Sequence, residues 1–216
     1  MNIKKSLFFF FLLSFSYAAG SVCYFIPPKN FEAADPRSLS KEVLIGFVGK
    51  SCSLKPSVNL ASENTTASLR EYINAIKESY KDDKKCFLRE LGTIDTKSGK
   101  AFLIEISQTT SFADIRLMQA ILLKDNTAYV LTSCSSKEDF TKYQKEFLRC
   151  FNSLTVTSDL LDEIENKDEK LILEKGLLEL KKNKNLSAFE KLLSRHDNLG
   201  AYWKILLLKK AYESIR

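Results

Sequence analysis

A chain of 216 residues with 44% apolar and 28% charged residues has the composition of a soluble globular protein, and it is long enough to bury a substantial core. Its formal charge is +6, about +4 once Lys4 and Lys5 are set aside, and Lys alternates with Asp and Glu along most of its length. That excludes the concentrated basic face of a nucleic-acid binder, so no nucleic-acid partner is expected.

The N-terminus reads as a targeting signal. Met1–Lys5 is a short positive stretch, Ser6–Ser16 (SLFFFFLLSFS) is an apolar run, and small residues follow at Ala18, Ala19 and Gly20. This is the pattern of a secretory signal peptide over 1–18, with cleavage near 18–20. The run is too short to span a bilayer, which takes about 20 residues. Export to the periplasm or envelope, or release, is expected. Cys23 adds a lipid-anchor alternative, although Val22 directly before it fits a lipobox poorly.

Val22–Phe25 reads as a short strand ended by Pro27-Pro28. A polar loop, Asn30–Ser40, precedes the strand Glu42–Val48, and Ser57–Leu60 reads as another short strand. Ser68–Tyr80 is a helix. Ser68 with Glu71 makes a capping box, and Leu69, Tyr72, Ile73, Ile76 and Tyr80 share one face. After the charged turn Lys81–Lys85, Cys86–Ile94 and Ala101–Ser107 read as strands joined by the turn Asp95–Lys100, where Gly99 supplies a positive φ.

Ile115–Thr132 holds the strongest hairpin signal. Two apolar runs, Ile115–Leu123 and Thr127–Thr132, flank Lys124-Asp125-Asn126. Ser135 with Glu138 suggests a second capping box, opening a helix over Lys137–Phe151 with the aromatic stripe Phe140, Tyr143, Phe147 and Phe151. Core packing accounts for that stripe. Ser153–Val156 reads as a short closing strand. Consecutive hairpins force antiparallel pairing, and one-sided helices must cover the sheet. An α+β domain over 22–157 is expected.

The segments LREYINAIKESY, LGTIDTKSGKAFLIEIS and IRLMQAILLKDNTAYVLTSCSSKEDFTKYQKEFLRCFNSLTV, with the opening YFIPPKNF, resemble the PsbP/Mog1/DcrB-like superfamily over Cys23 to Val156. The matching features are Gln119, Ala120, Asn126 and Ala128 to Thr132 of the central hairpin, and Phe140, Tyr143 and Phe147 of the helix. The resemblance implies an antiparallel sheet sandwiched by helices (α/β/α). Members of that superfamily share no catalytic constellation, so no site residue is carried over.

Beyond Val156 the composition changes. Ser158–Glu169 holds six acidic residues against Lys167, and 158–168 reads as a solvated acidic linker or the start of a helix. From Lys170 to Arg216, eleven basic residues face five acidic ones. Helices are expected over Glu169–Lys182, over Ala188–Arg195 behind a Ser187/Glu190 capping box, and over Leu199–Ser214. This helical extension spans 169–216. The last helix has a wide apolar surface, including Tyr202, Trp203, Leu206, Leu207 and Ala211. It must bury that surface against the rest of the chain or a partner, or lie on a membrane through Lys204, Lys209 and Lys210.

No chemistry stands out. His196 is the only histidine and sits at a helix end, no glycine-rich phosphate loop is present, and no Cys/His cluster has zinc spacing. No catalytic residue, cofactor or metal ligand is assigned. The five cysteines, Cys23, Cys52, Cys86, Cys134 and Cys150, are widely spaced. A Cys134–Cys150 bridge suits an exported protein, and free buried thiols suit a core of this size equally. The functional expectation is a non-enzymatic envelope protein acting as an accessory interaction module with a protein partner. The alternatives are a membrane-surface or lipid-binding protein and an enzyme of unrecognised type.

Overall fold

A computed structural model describes residues 21–50, 54–196 and 200–213. The signal-peptide segment, Cys52 and the expected start of the last helix at Leu199 lie outside the described residues. The chain order is β1 (Val22–Tyr24), β2 (Glu32–Ala33), β3 (Val43–Val48), β4 (Ser57–Asn64), α1 (Leu69–Tyr80), β5 (Cys86–Thr96), β6 (Gly99–Thr109), β7 (Asp114–Lys124), β8 (Thr127–Ser136), α2 (Phe140–Asn152), β9 (Thr155–Thr157), α3 (Lys167–Asn183), α4 (Leu186–Leu193) and α5 (Ala201–Glu213).

Seven strands form one antiparallel sheet in the order β2-β3-β4-β8-β7-β6-β5, and β1 pairs with β9 in a separate ribbon. The central hairpin forms where expected. Lys124 pairs with Thr127 across Asp125 and Asn126, both at positive φ, which is a type I′ turn matched to the strand twist. Lys97 and Ser98 make the tip of the β5–β6 hairpin, with Gly99 at φ +122°. The strands run longer than the apolar runs alone suggest, because each hairpin carries its ladder into the polar flanks.

The sheet is covered on both faces. Tyr72 and Ile73 of α1 pack with Ile104, Ile106, Leu117, Ile121 and Val130. On the other face Phe140, Phe147 and Phe151 of α2 pack with Met118, Ala120 and Leu131. This is the α/β/α arrangement that the sequence implies. The Ser68/Glu71 capping box is present, with the Glu71 N–H donating to Ser68 Oγ at 3.3 Å and the Ser68 N–H to Glu71 Oε2 at 2.8 Å.

Two other capping boxes are not formed. Ser135 and Ser136 belong to β8, and α2 begins only at Phe140 behind Asp139. Pairing of Ser136 with Ile115 keeps those residues extended. In α4 the capping side chain is Asn185, whose Oδ1 accepts the Ala188 N–H at 3.1 Å, so the helix starts before Ser187.

The segment 158–168 is not a solvated linker. Leu160, Leu161 and Ile164 are buried around the 3₁₀ turn Leu160–Glu163. The three C-terminal helices continue the same core as the sheet. Tyr202 meets Phe25 at 5.5 Å and Phe47 at 6.2 Å between ring centroids. The Trp203 indole N–H donates to the Leu160 carbonyl at 3.1 Å. The expected boundary near 157 therefore separates sequence compositions, while the core runs across it.

Candidate functional site

The residues singled out from sequence do not converge. Cys23, Cys86, Cys134 and Cys150 are free thiols. Cys134 lies opposite Leu117 on the α1 face of the sheet, whereas Cys150 is buried under α2 on the other face. The sheet itself separates them, so of the two readings the free thiols are found and a Cys134–Cys150 bridge is not formed. Burial pushes the Cys134 thiol up to about 11 and the Cys150 thiol up to about 12, which leaves both protonated near neutral pH. Cys23 is 4% exposed and sits in the ladder opposite Val156. A lipid on its sulfur would require β1 to leave the core, so the placement is at odds with lipidation.

His196 closes the helical extension: its Nδ1 lies 2.8 Å from Glu169 Oε1, joining the end of α4 to the start of α3. The apolar surface of α5 faces inward through Tyr202, Trp203, Leu207 and Ala211. No helix among the described residues is long and apolar enough to cross a membrane. Among the described residues no three His, Cys, Asp or Glu side chains gather as a metal site would need.

A polar cluster sits on the α2 face. Glu105 is 7% exposed in the middle of β6. Arg89 Nη2 donates to it at 3.0 Å, and Arg116 Nη1 lies 3.9 Å from its second oxygen. The Arg116 guanidinium stands 5.4 Å from the centre of the Phe140 ring, and its buried Nε has no partner. The sequence carries a weak sign of this cluster: Glu105 and Arg116 are the charged residues inside otherwise apolar strand segments, AFLIEIS and IRLMQAILL. Replacing Glu105 with alanine should destabilise the fold by about 3 kcal/mol, because two guanidinium groups lose their carboxylate. The double change Glu105→Leu with Arg116→Leu should cost less than that single change. A thermal or urea double-mutant cycle checks the ordering.

The more open feature is at the end of the sheet where β6 turns into β7. Thr110 shapes that turn. Its Oγ1 accepts the Ala113 N–H at 3.0 Å and donates to the Ala113 carbonyl at 2.7 Å, and its own N–H donates to the same carbonyl at 3.0 Å. The turn is held by its own hydrogen bonds and presents Phe112 to solvent at 77% exposure. Beside it a cleft of about 590 Å³ is lined by Leu54, Phe112, Asp114, Ser136, Lys137 and Glu138. The Lys137 N–H donates to the Asp114 carbonyl at 2.9 Å, fixing the floor of the cleft. On the neighbouring edge strand Phe87 is 67% exposed. Phe112 falls between the strand segments Ala101–Ser107 and Ile115–Leu123, where no apolar run or period marks it. The only available sign was a lone aromatic among polar residues in QTTSFAD.

No family model matches the sequence, and no curated protein matches it. Solved structures do. The chain is similar to cyanobacterial PsbP from Synechocystis, with a TM-score of 0.43 and 10% identity over 68% of this chain and 99% of that one. It is similar to LpqN, involved in cell envelope biogenesis of Mycobacterium tuberculosis, with a TM-score of 0.47 and 10% identity over 64% of this chain and 86% of that one. It is also similar to a protein of unknown function from Pseudomonas aeruginosa, with a TM-score of 0.45 and 11% identity over 58% and 96% of the two chains.

Proposed function

We propose that this chain is an exported, non-enzymatic accessory protein of a bacterial envelope, and that it works by docking a protein partner at the β6–β7 end of its sheet. The observation that carries this reading is Phe112, a large aromatic side chain exposed on a hydrogen-bonded turn and lining an open cleft. Aromatic side chains dominate the energetics of protein interfaces, and pre-ordering reduces the entropy lost on docking. The cleft carries both charge signs, from Asp114, Glu138 and Lys137, which suits the polar rim around such an anchor. The exported location rests on the N-terminal pattern of Lys4, Lys5 and the Ser6–Ser16 apolar run.

Phe112→Ala should abolish partner capture while leaving the fold intact, since the ring is exposed and supports no core contact. The measurement is cross-linking in a native envelope fraction with wild-type and Phe112→Ala chains side by side. Loss of specific partners from the variant is the expected result. Identical captured sets would sink the reading.

A further inference from the structure

Strand β5 ends the seven-stranded sheet, so one of its backbone edges has no neighbouring strand among the described residues. Its two halves differ. At the C-terminal end the Lys97 N–H donates to the Asn152 carbonyl at 3.2 Å, so α2 closes that end. A bulge between Glu90 and Gly92, with Gly92 at φ +95°, then breaks the regular ladder. What remains is Cys86–Glu90.

The direction of its backbone groups follows from the pairing. The Thr109 N–H donates to the Lys85 carbonyl at 3.0 Å, and Cys86 to Glu90 pair with Gln108 to Ile104. Alternation in an antiparallel ladder therefore turns the Phe87 and Arg89 groups toward β6, and those of Leu88 and Glu90 outward. Above this edge stand Phe87, two-thirds exposed, and Arg89, whose side chain is 55% exposed although it is tied to Glu105. Soluble proteins usually blunt such an edge with charge or proline; here Arg89 and Glu90 carry charge, and the exposed Phe87 ring stands beside them.

We propose that Cys86–Glu90 pairs with the same segment of a second copy of this chain, antiparallel, about a two-fold axis through Leu88. Charge selects that register. Outward-facing Leu88 and Glu90 allow the axis to fall at Phe87, Leu88, Arg89 or Glu90. An axis at Arg89 sets that residue against itself, and an axis at Glu90 does the same with two carboxylates. An axis at Phe87 sets Lys85 against Arg89 of the second copy. Like charges directly opposite one another are unfavourable.

An axis at Leu88 sets Phe87 against Arg89 of the second copy, twice. These are the closer, non-hydrogen-bonded pairs, suited to a guanidinium lying on an aromatic ring. It also sets Glu90 next to Cys86 and one residue from Lys85. Leu88 exchanges both backbone hydrogen bonds with its counterpart, and the Glu90 N–H meets the Cys86 carbonyl. The Cys86 N–H already donates to Asp83 at 2.9 Å, so it is not left without a partner. The ladder is short, which makes the dimer weak and concentration-dependent. This pairing is independent of whether Phe112 docks another protein.

Sedimentation velocity of the purified protein across a concentration series tests it. The expected result is a shift from monomer to dimer, with Phe87→Lys, which sets a second cation against Arg89 of the second copy, weakening the dimer at least about tenfold and leaving the circular dichroism spectrum unchanged. A wild-type chain that stays monomeric, or a dimer indifferent to Phe87→Lys, overturns the proposal. Register is read by mild oxidation. Chains carrying Phe87→Cys mixed with chains carrying Arg89→Cys should form a cross-linked dimer above the wild-type background, and neither variant alone should. Equal cross-linking of single variants, or none in the mixture, overturns the axis at Leu88.

Discussion

Replacing Trp203 with alanine is expected to lower the free energy of unfolding by about 4 kcal/mol, the middle of the range for deleting a buried aromatic ring. Trp203 is the only tryptophan in the chain, and it is 3% exposed. It lies in the same core as Phe25, Phe47 and Phe147. Two effects add. The ring leaves a cavity between α5 and the Leu160–Glu163 turn, and the Leu160 carbonyl loses its indole donor.

Trp203→Phe separates the two effects. It keeps much of the apolar volume and removes the N–H, so it should cost about 1–2 kcal/mol on the hydrogen bond alone, with some additional loss from the smaller ring. Urea unfolding followed by far-UV circular dichroism reads both variants, because the substitution removes the intrinsic fluorophore. A cost below about 1 kcal/mol for the alanine variant, the size of an ordinary surface change, would mean that α5 is not docked as described.

The parts of the fold that could be read from sequence are those decided locally. Ser68 and Glu71 lie three apart ahead of an apolar stripe, and both partners of that box are adjacent in the chain. Asp125 and Asn126 tolerate positive φ, so they mark the type I′ turn whatever packs around them. Ser135/Glu138 has the same spacing as Ser68/Glu71 and failed, because ladder pairing with β7 outweighed a local cap.

The less legible parts depend on distant residues. Val22–Phe25 and Ser153–Val156 each read as a short strand, but nothing local shows that Val22 pairs with Thr157 in the β1–β9 ribbon. The acidic composition of 158–168 hid Leu160, Leu161 and Ile164, whose burial is set by α5 arriving from later in the chain. The candidate site was hidden for a related reason. Phe112 is conspicuous only by its exposure, and exposure at a turn cannot be inferred from its neighbours in QTTSFAD.

The strongest effect is expected from ending the chain at Thr157. If the sheet and the helical extension were independent, this truncation would leave a folded α+β domain. Their shared core argues otherwise. Phe25 and Phe47 are buried, and each meets the Tyr202 ring edge-on. Leu160, Tyr202, Trp203 and Leu207 belong to the same cluster as these rings. Removing 158–216 uncovers part of the two phenylalanines and the adjoining ribbon. Aromatic side chains bury about 150–250 Å² each, so the new patch reaches the few hundred Å² that monomers rarely expose.

The lost contacts are also comparable to the marginal stability of a typical domain, about 5–15 kcal/mol, once several buried side chains are uncovered at roughly 2 kcal/mol or more each. The truncated chain should therefore be insoluble or lack a cooperative transition. Its unfolding curve beside that of the full chain is the measurement. A soluble 22–157 fragment that melts cooperatively, with a urea midpoint near that of the full chain, would show that the sheet domain needs none of the three C-terminal helices.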